Sequence, residues 1–572
     1  MQPYLPQQDP NPTKRAADLA KQRDLYIYDY VYLAPLPLAK SVPDQAQFST
    51  RYITERLLAS AELPANLLAA KTRTFFDPLD QLQEYEDLFP FLPLPEVAKT
   101  YQTDQSFAEQ RLSGPNPLMI AQLSAEDERA QVLNKIPSAQ ADFEPLFNVQ
   151  EELAAGNIYI TDYTGHDVRY LGPKVVEGGQ HEKGHKYLPK VRAFFRWRQQ
   201  GFSDRGELAP IAIQIGTAAE SPVYTPFDQP EKWLFAKLCV QVADANHHEM
   251  DTHLCRTHFV MEPFAVATAR QLADSHPLNL LLTPHLRFML ANNHLGRERL
   301  INKKGPVDNL LAGTREESLA LVKSAYKSWS IDQFAFPVDL KNRGMADTDR
   351  LPHYPYRDDG MLLWEALHEF VTDYLKHFYP TTSDLAQDAE LQAWAKELST
   401  RQVEGGAEIK GMPSTIDNLD KLAEIVTTII FTCGPMHSAV NYTQYDYMAF
   451  SANMPLAAYS DPNVLQSEQA EITEAEILKL LPPYKKAAEQ LSILFILSAY
   501  RFDQLGSYDK TYGELYDSTF DAVFAGTPVT LMLSKLQQKL YLAEQRMTER
   551  NRGRVTAYNA MKPSLVLNSI SI

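Results

Sequence analysis

Residues 233–289 read WLFAKLCVQVADANHHEMDTHLCRTHFVMEPFAVATARQLADSHPLNLLLTPHLRFM, a long apolar stretch carrying His248, His253, His258, His276 and His285. Apolar residues run almost all round it at helical spacing, as in a helix buried inside a large protein rather than one lying on a surface. A single histidine in such a setting is usually a satisfied core residue, whereas several at regular spacing point towards a metal site. On an α-helix of about 3.6 residues per turn, positions i and i+5 diverge by roughly 140°, so His253 and His258 reach one ion only from a locally widened helix. Single π-turns of that kind are rare and concentrate at functional sites, so the spacing predicts one here if both histidines are ligands. A zinc-hydrolase reading fails on register: His253 stands five residues after His248-Glu249 begins, where H-E-x-x-H needs four.

A second cluster lies at 431–447, FTCGPMHSAVNYTQYDY, with His437 and Asn441 at i and i+4 on one face of an expected helix. The sequence closes on LVLNSISI, 565–572. With these residues in view the chain resembles the lipoxygenases, non-haem iron enzymes that dioxygenate polyunsaturated fatty acids. The family pattern H-x4-H-x4-H-x17-H-x8-H is matched by His248, His253, His258, His276 and His285. The resemblance implies iron ligation by His253, His258, His437, Asn441 and the terminal carboxylate of Ile572. His248, His276 and His285 match positions outside that set and read as packing or hydrogen-bonding residues. Gln444 matches a family glutamine that bridges the metal sphere and the substrate pocket, and Glu249 a position that is Glu in animal relatives and Gln in plant ones. Met454 stands where plant members often place a carboxylate-binding Arg, and the small residue that sets oxygenation stereochemistry is expected near Ser324 and Ala325.

Three imidazoles, an amide oxygen and a carboxylate suit a borderline first-row ion and include no thiolate. The implied chemistry is abstraction of a bis-allylic hydrogen from linoleate-, linolenate- or arachidonate-class fatty acids, then O2 addition to give a hydroperoxide. Manganese replaces iron in some fungal members. The alternative on the same scaffold is a lipid hydroperoxide isomerase.

At 572 residues with 44% hydrophobic and 22% charged residues, the chain has room for a sizeable core. A formal net charge of −17 argues against nucleic acid as a partner and gives no electrostatic help towards anionic membranes. Cys239, Cys255 and Cys433 form no disulfide framework and read as reduced, buried thiols. Cys433 is discounted as a ligand, since no second cysteine is near it and a thiolate would draw in zinc. The start shows no charged-then-apolar leader, which points to a cytoplasmic protein. Ile425–Val440 and Ile493–Leu497 are too short or interrupted to span a bilayer.

The expected fold is mainly α: a helical N-terminal extension over 1–95, without the β-barrel that opens many family members, and a catalytic domain over 96–572 with a small β subregion. Helices are expected over 13–33, 45–60, 64–71 and 78–88, then over 316–328, 484–500 and 528–550. Asp104–Pro117, DQSFAEQRLSGPNP, resembles the family's D-x-x-F-x-x-Q-x-x-x-G-x-N-P segment and reads as structural. NIYITDY, KVRAFFRWR and ELAPIAIQIG within 157–216 read as strands. His181 and His185, in a Gly-bearing loop, lack the companions of a metal site. The aromatic-bearing N-terminal helices raise the expectation of peripheral membrane contact.

Overall fold

The computed structural model describes residues 2–76, 79–136, 148–165, 186–199, 206–218, 220–463, 471–508, 520–554 and 556–572. His181 and His185 lie outside the described residues. The architecture is mainly helical and is built around one long helix, 230–271. That helix opens with Pro230 at its first turn, where the missing N–H leaves nothing unsatisfied. Val240, Val242, Ala243, Val260 and Phe264 are fully buried on several of its faces, which accounts for the weak amphipathicity of the sequence there.

Helices Arg315–Ser328, Met289–Arg299, His437–Asn441 and Ala389–Ser399 pack around this central helix. Outside them, the long amphipathic helix Pro355–Phe378 packs between Leu419–Phe431 and Pro528–Asn551. A five-stranded antiparallel sheet, Ala121–Gln122, Ile158–Asp162, Val191–Gln199, Gly206–Ile215 and Val223–Tyr224 in spatial order, flanks the start of the central helix. Its register shifts between Phe194 and Phe195, where Ile211 is the extra residue of a bulge beside Pro210, which has no N–H to give the ladder. Ile158, Ile160, Phe194, Ile211 and Ala212 close a second, smaller core beneath it.

The N-terminal part departs from the periodic reading. The first helix is Pro12–Leu25 rather than 13–33, because Tyr28–Asp29 pairs with Leu38–Ala39 as a short ribbon. Tyr26 and Tyr28 are buried by this turn, and Glu262 of the central helix accepts from Ala39 N at 2.6 Å. Thr50–Ala59, capped by Ser49, follows a separate 3-10 turn at Asp44–Ala46. Leu63–Phe76 runs longer than expected, and the acidic stretch forms a 3-10 turn over Leu82–Leu88. Leu5, Leu33, Leu36 and Leu38 join the same core as the central helix. Among the described residues, no helix is long and apolar enough to cross a membrane.

Candidate metal centre

The central helix is widened over His248–Phe259, twelve residues of π-helix rather than a single turn. In that register residues five apart share a face, and the Nε2 atoms of His253 and His258 stand 3.2 Å apart. His437 Nε2 is 3.2 Å from His258 Nε2, so three imidazoles converge on one point. Just beyond the widened stretch the helix returns to ordinary α register, with Pro263 inside it. The carbonyl of His258 accepts from Asn293 Nδ2 at 3.0 Å, and the same Nδ2 also donates to Glu262 Oε2 at 2.7 Å.

With its amide nitrogen so engaged, Asn293 presents Oδ1 to His258 Nδ1 at 2.9 Å. His258 therefore carries its proton on Nδ1 and turns a bare Nε2 lone pair inward. Burial, reinforced by the neighbouring imidazole of His253, pushes His258 down to about 3. Burial also lowers His253 and, with His258 and His253 beside it, His437. All three rings are thus held neutral, the form that ligates metal.

His437 follows a second widened turn, Thr432–Met436, which contains Gly434-Pro435. A Cβ at Gly434 would stand 2.7 Å from the carbonyl of Leu567, so glycine lets the C-terminal tail pass directly against this helix. Asn441 lies one turn beyond His437. Its amide is fixed at both ends: Nδ2 donates to the Leu497 carbonyl at 2.9 Å, and Oδ1 accepts from Gln444 Nε2 at 2.9 Å. Ile572 is buried against Tyr442 and Leu567. Glu249 faces His248 and His253 with carboxylate oxygens at 3.7 and 3.8 Å.

His253, His258, Glu249 and Ile572 line one cavity of about 240 Å³. Its walls are chiefly apolar, from Met250, Leu254, Ile301, Val307, Ile493 and Leu497, with Arg56 and Arg299 as its cationic residues. Gly296 also lines it, and a Cβ built there would meet nothing within 4 Å. Ser324 and Ala325 are buried in helix Arg315–Ser328 and are not part of this wall.

The remaining motif histidines are buried and bonded. His248 Nε2 meets the Val440 carbonyl at 2.9 Å, His276 Nε2 meets Asp388 at 2.9 Å, and His285 lies between the Asn568 carbonyl and Tyr508. Cys433 is buried, which pushes its thiol up and keeps it from acting as a thiolate. The sequence carried no periodic signal for Asn293, Arg56 or Gly296, whose roles arise from distant elements meeting at the cavity.

A family model described as Lipoxygenase matches residues 59–563. The chain is 32% identical to a linoleate 9/13-lipoxygenase of Pseudomonas aeruginosa, over 86% of this chain and 70% of that protein. It is 30% identical to the allene oxide synthase-lipoxygenase protein of Plexaura homomalla, over 98% of this chain, and spans only 53% of that longer protein. A human hydroperoxide isomerase is also 30% identical, over 83% of this chain and 63% of its own length. Among solved structures, a lipoxygenase in complex with arachidonate matches with a TM-score of 0.87 and 28% identity, over 100% of this chain and 84% of that one. A coral 8R-lipoxygenase, described as calcium-activated through a C2-like domain, matches with a TM-score of 0.86 and 28% identity, over 100% and 83%.

Proposed function

The chain belongs to the lipoxygenase family, and from that premise we propose that it dioxygenates polyunsaturated fatty acids to hydroperoxides. The observation that carries this reading is the meeting of three neutral imidazoles, their Nε2 atoms 3.2 Å apart along each step, at one end of an apolar cavity. Iron is held in this reading by His253, His258, His437, Asn441 and the Ile572 carboxylate. The donor set fits: nitrogen and oxygen donors, no available thiolate, and imidazoles whose lone pairs face one another. Manganese suits the same donors.

Bound there, the metal supplies the one-electron oxidation that removes a bis-allylic hydrogen. The protein's own residues do the rest. The apolar walls bury a hydrocarbon chain and exclude water from the radical, while Gln444 fixes the amide oxygen of Asn441 by donating to it. Glu249 keeps a carboxylate beside His248 and His253. In this reading residues 1–95 are a helical extension and 96–572 the catalytic domain, two functional parts that share one core.

The protein acts in the cytoplasm on this view and meets lipid peripherally. Support comes from helices Thr50–Ala59 and Leu63–Phe76, where Leu57, Leu58 and Phe75 are 67%, 69% and 80% exposed, beside the cavity residue Arg56. The second reading, hydroperoxide isomerisation, draws on the similarity to the human isomerase. Oxygen uptake by metal-assayed protein given linoleate or arachidonate separates the two. Stoichiometric uptake with a conjugated-diene product is the expected result; consumption of added lipid hydroperoxide without uptake favours the isomerase.

A further inference from the structure

The C-terminal tail is fastened well upstream of its end. Ser438 Oγ accepts from Leu567 N at 3.3 Å, His285 Nδ1 meets the Asn568 carbonyl at 2.9 Å, and the Asn568 side chain bonds Gly506 N and the Ser507 carbonyl. Beyond Asn568, the hydrogen bond that reaches the tail from elsewhere among the described residues comes from Tyr52, whose hydroxyl donates to the Ser571 carbonyl. The hydroxyls of Ser569 and Ser571 are buried without partners. A free end of several residues forfeits about 1–2 kcal/mol of backbone entropy per residue when fixed, so the last fastening decides where the terminal carboxylate points.

Tyr52 is well placed for that. It is 1% exposed, and its ring stacks on Phe48 at 4.7 Å and packs against Phe288 and Phe502 at 5.0 and 5.3 Å. Arg56 Nη1 donates to the same hydroxyl oxygen at 3.2 Å, leaving the phenolic proton for Ser571 and polarising it. Burial raises the phenol's pKa, so the donor persists across the neutral range. Tyr52 belongs to Thr50–Ala59, the helix that also contributes Arg56 to the cavity wall.

We infer that Tyr52 is a positioning residue for the metal centre: its hydroxyl, seated on the carbonyl one residue before the terminus, aims the Ile572 carboxylate at the imidazole cluster. Metal retention is thereby tied to the seating of helix Thr50–Ala59. The inference rests on the reading of Ile572 as a ligand, and the test separates the two. Four iron-loaded proteins are compared: wild type, Tyr52→Phe, Tyr500→Phe and a form with one alanine appended after Ile572. Tyr500 lies in the same aromatic cluster, but its hydroxyl bonds Glu55 rather than the tail.

The readouts are iron release into excess chelator and the EPR spectrum of the oxidised protein. Tyr52→Phe should release iron roughly 10- to 100-fold faster, the usual effect of losing an outer partner of a metal site, with an altered spectrum. Tyr500→Phe should match wild type, and the extended protein should lose its iron. Wild-type release and spectrum in Tyr52→Phe, or equal acceleration in Tyr500→Phe, overturns the positioning role while the Ile572 ligand stands. Full iron retention by the extended protein overturns the ligand reading and the positioning role with it.

Discussion

The widened helix His248–Phe259 and the helix Thr50–Ala59 border one cavity, yet they are built in opposite ways. In the first, His248, Met250, His253, Cys255, Thr257 and His258 are all buried, and the non-standard hydrogen-bond register is satisfied from outside by Asn293. In the second, Tyr52 alone is buried, while Leu57 and Leu58 face outward. Dense packing favours a fixed geometry for reacting groups, whereas a sparsely buried helix opens at lower free energy. The metal end of the cavity is therefore the rigid half and the Thr50–Ala59 side the adaptable one.

Substitutions on each side put that contrast at risk. His437→Ala removes one of the three converging imidazoles; iron content and oxygen uptake should both fall below about a hundredth of wild type, beyond the 10–100-fold typical of outer partners. Asn293→Ala leaves the His258 carbonyl and Nδ1 without their partner. Metal affinity should drop roughly 10- to 100-fold, and chemical denaturation should record a loss of about 1–3 kcal/mol. Wild-type behaviour in this variant would mean that the widened helix holds its shape unaided.

Acid should act on the rigid half through His285, which burial holds down at about 4 against an ordinary 6.5. The folded state then binds fewer protons than the unfolded state between those values. Stability is full above about pH 6.5 and declines as pH falls towards 4, by up to about 1.4 kcal/mol per pH unit. His285→Gln should flatten that decline in urea melts, and an unchanged slope would assign it to other groups.

On the adaptable side the effects should be smaller and selective. Leu57→Asp with Leu58→Asp should shift stability by no more than about 0.5 kcal/mol while cutting turnover of liposome-borne fatty acid several-fold and sparing detergent-dispersed substrate. Equal loss on both substrates would make these leucines part of the packing. The mildest change is Gly296→Ala, whose methyl enters open cavity space. It should raise stability by about 0.5–1 kcal/mol through helix propensity and alter the ratio of hydroperoxide isomers; an unaltered ratio would place the reacting carbon away from this wall.

The same contrast explains what the sequence reveals. His253 and His258 at i+5 predict a widened helix because helix geometry is local, and the structure bears this out. Its twelve-residue length was not legible, since the His258 carbonyl near its end is met by an asparagine 35 residues further along the chain. The β subregion and helices Arg315–Ser328 and Pro528–Asn551 followed from periodicity. The tyrosine-rich run after Leu25 did not, because pairing of Tyr28–Asp29 with Leu38–Ala39 overrides helical spacing.

The most direct test of the metal centre is anomalous scattering from crystals of the as-purified protein, measured on both sides of the iron absorption edge. The account predicts one edge-dependent peak per chain, among the Nε2 atoms of His253, His258 and His437 and within bonding distance of Asn441 Oδ1 and the Ile572 carboxylate. A peak elsewhere, or signal at the zinc edge in place of iron, would contradict it.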